Sequence, residues 1–186
     1  GTDISLDDVA AMLGYSGVSP FMRAFRRWTG STPGGWRRSL GIGQVDVMMV
    51  THRDSDHAGG AASVRSALQV DTVFSSTGET GAEPCRAGQR WVWDGVQMEV
   101  LHPLADDYDE KRKSNNLSCV LRIEAGGRRM LLTSDIEARD EVALLQRAPA
   151  KLAAEVLLVP HHGSRTSSTP EFIAAVGAKT VIFPVG

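Results

Sequence analysis

Long apolar runs are missing from this 186-residue chain: no stretch approaches the roughly 18 consecutive apolar residues of a membrane-spanning helix. A large net charge is missing too. Twenty Lys and Arg against 22 Asp and Glu leave −2 at neutral pH, which gives no electrostatic case for wholesale binding to nucleic acid or membrane. Cysteine is scarce. Cys85 and Cys119 lie far apart with no C-x-x-C pair, so a disulfide is allowed but not indicated. Two thiols fit a reducing cytoplasm, the expected location, and Cys119, inside an apolar strand, reads as a small core residue. No internal repeat, low-complexity tract or basic-then-apolar leader is present. There is no initiator Met, and the ends read as cut rather than native. What remains, 42% hydrophobic and 23% charged, is an ordinary globular composition with length for one substantial core or a medium domain with a small appendage.

The densest chemistry lies in Thr51–Gly60. His52, Asp54, Asp56 and His57 fall within six residues, after the apolar run Val45–Val50 and before Gly59-Gly60. That order reads as strand, ligand-bearing loop, helix start. Imidazoles beside carboxylates suit Zn, Mn or Fe better than Ca or Mg. A plain polar surface loop is the alternative, and ligand density argues against it. Strands are expected at 45–50, 71–75, 90–93, 96–101, 117–124, 128–133, 155–159 and 179–184. Helices are expected at 59–69, 137–147 and 170–176. Asp94-Gly95 and Gly126-Gly127 mark hairpin turns. Two later polar motifs end strands: Thr133-Ser134-Asp135 and Pro160-His161-His162-Gly163-Ser164. Loops at strand ends are where a rigid sheet positions ligands. The bland readings are an N-cap for Ser134-Asp135 and a surface pair for His161-His162. His102, beside Pro103, reads as structural.

The first 40 residues differ in character. Residues 21–40 hold Arg23, Arg26, Arg27, Arg37 and Arg38 with no acid. Ser5-Leu6-Asp7-Asp8 starts one helix with a capping-box-like pattern, and Gly14 ends it. Ser19 as N-cap and Pro20 at the first helical position start another. Phe21, Ala24, Phe25 and Trp28 form its apolar stripe, the arginines lie off it, and Gly30 closes it. Two short helices joined by a tight turn make a helix-turn-helix; an amphipathic pair packed on a core is the bland alternative.

His52-x-Asp54-x-Asp56-His57 resembles the H-x-H-x-D-H signature of the metallo-β-lactamase superfamily, with Asp54 where the second His usually stands. That variant, with its trailing glycines, is similar to the domain at the C-terminal end of ComEC-type competence proteins. Cys85–Trp91, Trp93–Val96, Asn115–Leu121, Leu131–Ile136 and Pro160–Ser164 match further motifs in order. The resemblance covers residues 40–186. It implies an α/β fold: a partial metallo-β-lactamase αββα sandwich with a small N-terminal helix-turn-helix segment. It implies two divalent ions, Mn or Zn, with His52, Asp54 and one late His on one ion, Asp56 and His57 on the other, and Asp135 bridging. His161 is favoured over His162 as the late ligand. Asp56 is alternatively a proton shuttle, and Asn116 a group that binds substrate phosphate. The implied activity is phosphodiester hydrolysis, on single-stranded DNA, in DNA uptake. A β-lactam substrate is disfavoured because Asp54 replaces the second His.

Leu13-Gly14-Tyr15-Ser16, Phe21–Gly30 and Pro33 with Trp36-Arg37-Arg38 resemble the second helix-turn-helix of AraC-type regulators over residues 1–39. By that resemblance the stretch from Ser16 through Ser19 to Met22 faces bases, and Arg23, Arg26 and Arg27 face phosphates or solvent. The chain departs from the hydrolase family by lacking an Asp-Val-Gly-Gln-Gly-Asp segment, a later Asp-x-Gly and a final His-Pro motif. These departures imply a junction near Ser39. Bare sheet edges would then be covered by the N-terminal helices, through Trp28 and Trp36, or by a homodimer. The alternatives to a hydrolase are a fragment of a DNA-binding transcriptional regulator and an inactive chimera. The alternative location is that of a soluble domain detached from an inner-membrane competence protein.

Overall fold

The structure is a computed structural model and describes Ala10, Leu13 and residues 15–33, 35–36, 43–108 and 111–184. Of the expected first helix over residues 5–14 only Ala10, which is helical, and Leu13, which is in a turn, are described; the basic pair Arg37-Arg38 and the junction at Ser39 lie outside the described residues. Two compact units divide the chain. One takes residues 1–48, 59–72 and 185–186, and the other takes residues 49–58 and 73–184. Their boundary falls inside two strands.

In the first unit, helix α1 (Val18–Thr29) starts two residues earlier than expected, with Gly17 as N-cap. Ser19 is therefore inside the helix rather than its cap. Gly17 takes the cap position at a φ of 151°, which a side chain rarely adopts. Gly30 closes the helix in the left-handed conformation, its N–H donating to the Arg26 carbonyl at 2.8 Å, as a C-terminal glycine should. Phe21 is buried, with Tyr15 and Phe25 rings 5.6 and 5.8 Å away. Arg23, Arg26 and Arg27 are exposed. Trp28 is exposed as well, at 69%, so the buried part of the expected apolar stripe stops at Phe25. Helix α3 (Ala61–Ala67) belongs to this unit and follows Gly60.

Strands β1 (Gln44–Val50), β2 (Gln69–Ser75) and the short β3 (Glu83–Pro84) form a three-stranded sheet in that order, with β2 and β3 parallel. The other sheet has six strands in sequence order: β4 (Arg90–Trp93), β5 (Val96–His102), β6 (Val120–Ala125), β7 (Arg128–Leu132), β8 (Val156–Leu158) and β9 (Thr180–Ile182). The first four pair antiparallel through the two expected hairpins, and β8 and β9 add in parallel. Parallel addition needs crossovers, here helices α4 (Ala138–Arg147) and α5 (Pro170–Val176). Leu131 and Leu157 from the sheet, Leu144 from α4 and Phe172 and Val176 from α5 form the core. Residues 117–119 are not strand as expected. They lie in a 3-10 turn and the segment after it, which breaks the ladder where Asn116 is held.

A second cluster packs Cys85, Val100 and Cys119 with Phe74 and Trp91, whose rings stack 5.2 Å apart. Cys85 and Cys119 are joined in a disulfide that spans 34 residues of sequence. The two cysteines sit on segments that flank Val100 of β5, a proximity that spacing alone does not reveal. The bridge removes the composition argument for a reducing compartment. Among the described residues, no helix is long and apolar enough to cross a membrane.

Candidate metal centre

Three loops deliver the site, each at the end of a strand. The first follows β1. His52 is fully buried, and the chain then winds into a single helical turn, α2 (Ser55–Ala58), capped by the Asp54 carbonyl, which accepts from the His57 and Ala58 N–H groups. That turn brings Asp56 and His57 round towards His52; the His52 and His57 ring centroids are 4.1 Å apart. The second loop follows β7 and carries Asp135. The third follows β8 and carries His161 and His162.

Asp135 is the centre. Its Oδ1 lies 3.2 Å from His57 Nε2, and its Oδ2 lies 3.4 Å from His162 Nε2 and 3.6 Å from His52 Nε2. Asp56 Oδ2 is 3.2 Å from His162 Nε2 and 3.6 Å from His57 Nε2, and Asp54 Oδ2 is 3.7 Å from His52 Nε2. Ligand atoms of Asp56, His57, Asp135 and His162 all fall within 4.8 Å of one another. Four ligands at metal bonds of about 2.1 Å stand roughly 3.4 Å apart in a tetrahedron, and the nitrogen–oxygen pairs among these residues, at 3.2 to 3.6 Å, come close to that. His52 Nε2 is buried with no hydrogen-bond partner. A buried polar atom without a partner is costly, and a ligand lone pair aimed at an ion accounts for it. The residues fit a divalent metal.

Outer contacts fix the rings. His162 Nδ1 donates to the Pro184 carbonyl at 2.5 Å, which leaves Nε2 as the lone-pair nitrogen. His52 Nδ1 lies 3.2 Å from Thr51 Oγ1 and 3.4 Å from Ser134 Oγ, and Ser134 Oγ donates to Thr51 Oγ1 at 2.8 Å. This hydroxyl pair ties the loop after β1 to the loop after β7. Burial pushes the His52 imidazole below its ordinary pKa, so it is neutral and available. The hydrogen bond from His57 to Asp135 raises the His57 pKa against its burial. Burial alone would raise the Asp135 carboxyl; the hydrogen bond from His57 and the nearby imidazoles outweigh it and hold it low.

The backbone is bent to make this arrangement. Ser134, His161 and His162 all have positive φ, at 50°, 47° and 54°. Left-handed conformation in residues other than glycine costs on the order of 1–2 kcal/mol each, and such strain gathers at functional sites. Two successive left-handed residues send the two imidazoles different ways. His162 enters the cluster. His161 instead has Nδ1 at 3.0 Å from Thr166 Oγ1 and Nε2 at 3.4 Å from Asn115 Nδ2. The expectation of His161 as the late ligand is thus replaced by His162, and the late His groups with Asp56 and His57 rather than with His52 and Asp54. Gly163 follows at φ 79°, and a Cβ there would sit 3.1 Å from Phe183 Cε1. Gly163→Ala is expected to lower the unfolding free energy by about 1–2 kcal/mol, measurable as a reduced urea midpoint.

Asn116 is not at the site either. Its Nδ2 donates to Asp140 Oδ2 at 2.7 Å, and its carbonyl accepts from His102 Nε2 at 2.9 Å. His102 is buried and structural, as expected, and Arg147 donates to its Nδ1 at 2.8 Å. Glu141 is fully buried and accepts from the Ser168 and Thr169 N–H groups at 2.5 and 2.8 Å, which anchors the chain after the histidine pair. Nothing in the sequence marks that role; a carboxylate on the inner face of α4 was the one available sign.

Comparison with known proteins places this geometry. Residues 22–186 match the model of the metallo-beta-lactamase superfamily, and residues 1–39 match a helix-turn-helix domain family. The chain is 36% identical over 153 residues to "Competence protein ComA" of Neisseria gonorrhoeae, covering 80% of this chain and 21% of that protein. It is 33% identical over 163 residues to "ComE operon protein 3" of Bacillus subtilis (strain 168), covering 78% of this chain and 20% of that protein. The chain thus spans about a fifth of the length of these relatives. Among solved structures it is similar to a CmlA beta-hydroxylase E377D mutant, with a TM-score of 0.54 at 15% identity over 77% of this chain and 37% of that one. That likeness concerns fold alone.

Proposed function

This chain belongs to the metallo-beta-lactamase superfamily, and we propose that its larger unit is the hydrolytic centre of a metal-dependent phosphodiesterase. The proposed substrate is single-stranded DNA, and the setting is DNA uptake, as the names of the competence relatives suggest. The observation that carries the reading is Asp135, with both oxygens turned to three imidazoles whose outer nitrogens are tied down or buried. His52, Asp54, Asp56, His57, Asp135 and His162 would hold the ions, two by the family resemblance. Bound there, Mn or Zn would lower the pKa of a water and neutralise charge developing at phosphorus.

The chain's own residues do the rest. Asp135 and the three imidazoles supply preset donors, so no reorganisation accompanies the reaction. Asp56, 56% exposed at the mouth of the cluster, is alternatively a proton shuttle that accepts the proton of the attacking water instead of holding an ion. The Thr51–Ser134 pair keeps His52 turned inward. Parent protein with Mn²⁺ is expected to cut a labelled single-stranded oligonucleotide, to stop in chelator, and to leave a β-lactam intact. Metal-stabilised protein that cuts no phosphodiester would sink this reading.

A second reading has its own observation. Residues 1–39 match a helix-turn-helix family, and α1 exposes Ser16's neighbour Ser19 together with Arg23, Arg26 and Arg27, with Met22 half-buried. Duplex DNA binding through α1 should be weak and salt-sensitive, because few phosphates are met. Arg23→Ala with Arg27→Ala is expected to weaken gel-shift binding at low salt severalfold. Equal retention in parent and variant would remove it.

A further inference from the structure

We infer that the cleft beside the ligand loop, lined by Arg53, Lys111 and Arg112, is an anion subsite for a backbone phosphate of a nucleic-acid strand whose neighbouring phosphate lies at the histidine–carboxylate cluster. The placement of the neighbouring phosphate at the cluster rests on the phosphodiesterase reading; the anion subsite does not. The cleft has a volume of about 240 Å³. Three cationic side chains line it with the hydroxyl-bearing Ser76, Ser114 and Tyr108, and no carboxylate is among these lining residues. Asp107 behind Arg112 offsets that charge, so the excess at the cleft comes from Arg53 and Lys111, and clefts lined by one sign of charge focus potential.

Arg53 couples the cleft to the cluster. It sits between His52 and Asp54, so its Cα is one peptide, about 3.8 Å, from each. Its backbone N–H donates to Ser114 Oγ at 2.9 Å, and its Nε donates to the Thr77 carbonyl at 3.0 Å. A guanidinium has five donors in a fixed fork. Thr77 holds the Nε end, and the terminal nitrogens lie along the turn at Gly78, where an added Cβ would come 3.8 Å from Nη2. A fork held at one end suits a phosphate oxygen pair. Arg112 is braced by buried Asp107 at 2.8 Å. Tyr108 donates to the Cys85 carbonyl at 2.8 Å, and burial pushes its pKa up to about 12, so it adds no negative charge. Lys111 completes the rim. Asp109 and Glu110, which precede it, lie outside the described residues.

The test uses the full chain and a short 5′-labelled oligothymidylate. Fluorescence anisotropy is read in chelator, so that nothing is cut. Lys111→Ala and Arg53→Ala are each expected to weaken binding about tenfold and to flatten the plot of log K against log salt by about 0.7, the value of one single-strand phosphate contact. Lys111→Arg should restore both. Arg128→Ala, at an exposed position on β7, is the control for charge alone. Unchanged affinity and slope in the cleft variants would overturn the subsite, as would an equal loss in Arg128→Ala. So would inorganic phosphate raising the melting temperature through Lys111 while strand binding ignores that residue, because the cleft would then serve the free ion. Cleavage of bis(p-nitrophenyl) phosphate by the Mn²⁺-loaded parent tests the hydrolase reading separately. If that cleavage is absent but strand binding depends on Lys111, the hydrolase reading fails and the subsite stands.

Discussion

Asp135→Ala is expected to erase metal-dependent stabilisation. Metal at about a hundred times its dissociation constant should stabilise the parent by roughly 2.7 kcal/mol, which for a chain of this size moves the melting temperature about 5–10 °C. Asp135 faces all three imidazoles of the cluster through its two oxygens, so its loss removes the carboxylate that every one of those rings meets. Outer-sphere partners alone are worth about 10–100-fold in metal affinity, and a direct ligand should exceed that. The decisive contrast is between the two late histidines. His162→Ala should lose the metal shift, whereas His161→Ala, whose ring lies at Thr166 and Asn115, should keep it. The quantity to compare is the difference between Mn²⁺ and chelator in each variant, because each substitution also changes the metal-free baseline. A metal shift that survives Asp135→Ala, or that vanishes in His161→Ala and persists in His162→Ala, would refute the geometry.

Reduction of the Cys85–Cys119 bridge is the second large effect. The bridge closes 34 residues of sequence, and a loop of that length corresponds to about 2–4 kcal/mol through the entropy of the unfolded chain. Both cysteines belong to the cluster with Val100, and the Cys85 carbonyl receives the Tyr108 hydroxyl, so the loss should also loosen the loop that carries Lys111 and Arg112. The measurement is the urea midpoint with and without reductant, beside a Cys85→Ala, Cys119→Ala double variant that should ignore reductant. A thiol titration of the denatured, unreduced protein should find no free sulfhydryl. Two free thiols, or equal midpoints, would show that the bridge does not form.

Much of the fold was legible because hydrophobic period and turn chemistry are local. The Asp94-Gly95 and Gly126-Gly127 hairpins, the strands around them and helix α5 over 170–176 lie where those signals put them. Helix α4 starts with Glu137 as N-cap in a capping box with Asp140, one residue inside the expected range. The helix expected over 59–69 is shorter, Ala61–Ala67, and a separate turn at Ser55–Ala58 precedes it, because the ligand loop itself winds back to gather Asp56 and His57. Trp28 misled: its helical spacing says core, yet its surroundings leave it in solvent. Spacing reports which residues share a face, not what covers that face.

The sequence by itself determined the chemistry available. His52, Asp54, Asp56 and His57 are fixed within six residues by covalent order, and the strand–loop–helix context around them is read from periodicity alone. Tertiary structure decided everything that depends on distant segments meeting. It chose His162 over His161, because two left-handed residues and the Pro184 carbonyl set the ring directions. It turned Asn116 to Asp140. It placed Asp135 between three imidazoles and joined Cys85 to Cys119. It set Arg53, Lys111 and Arg112 around one cleft. Adjacent residues can point in opposite directions, and residues far apart in the chain can touch. Neither relation has a period in the sequence, so only the packed chain fixes them.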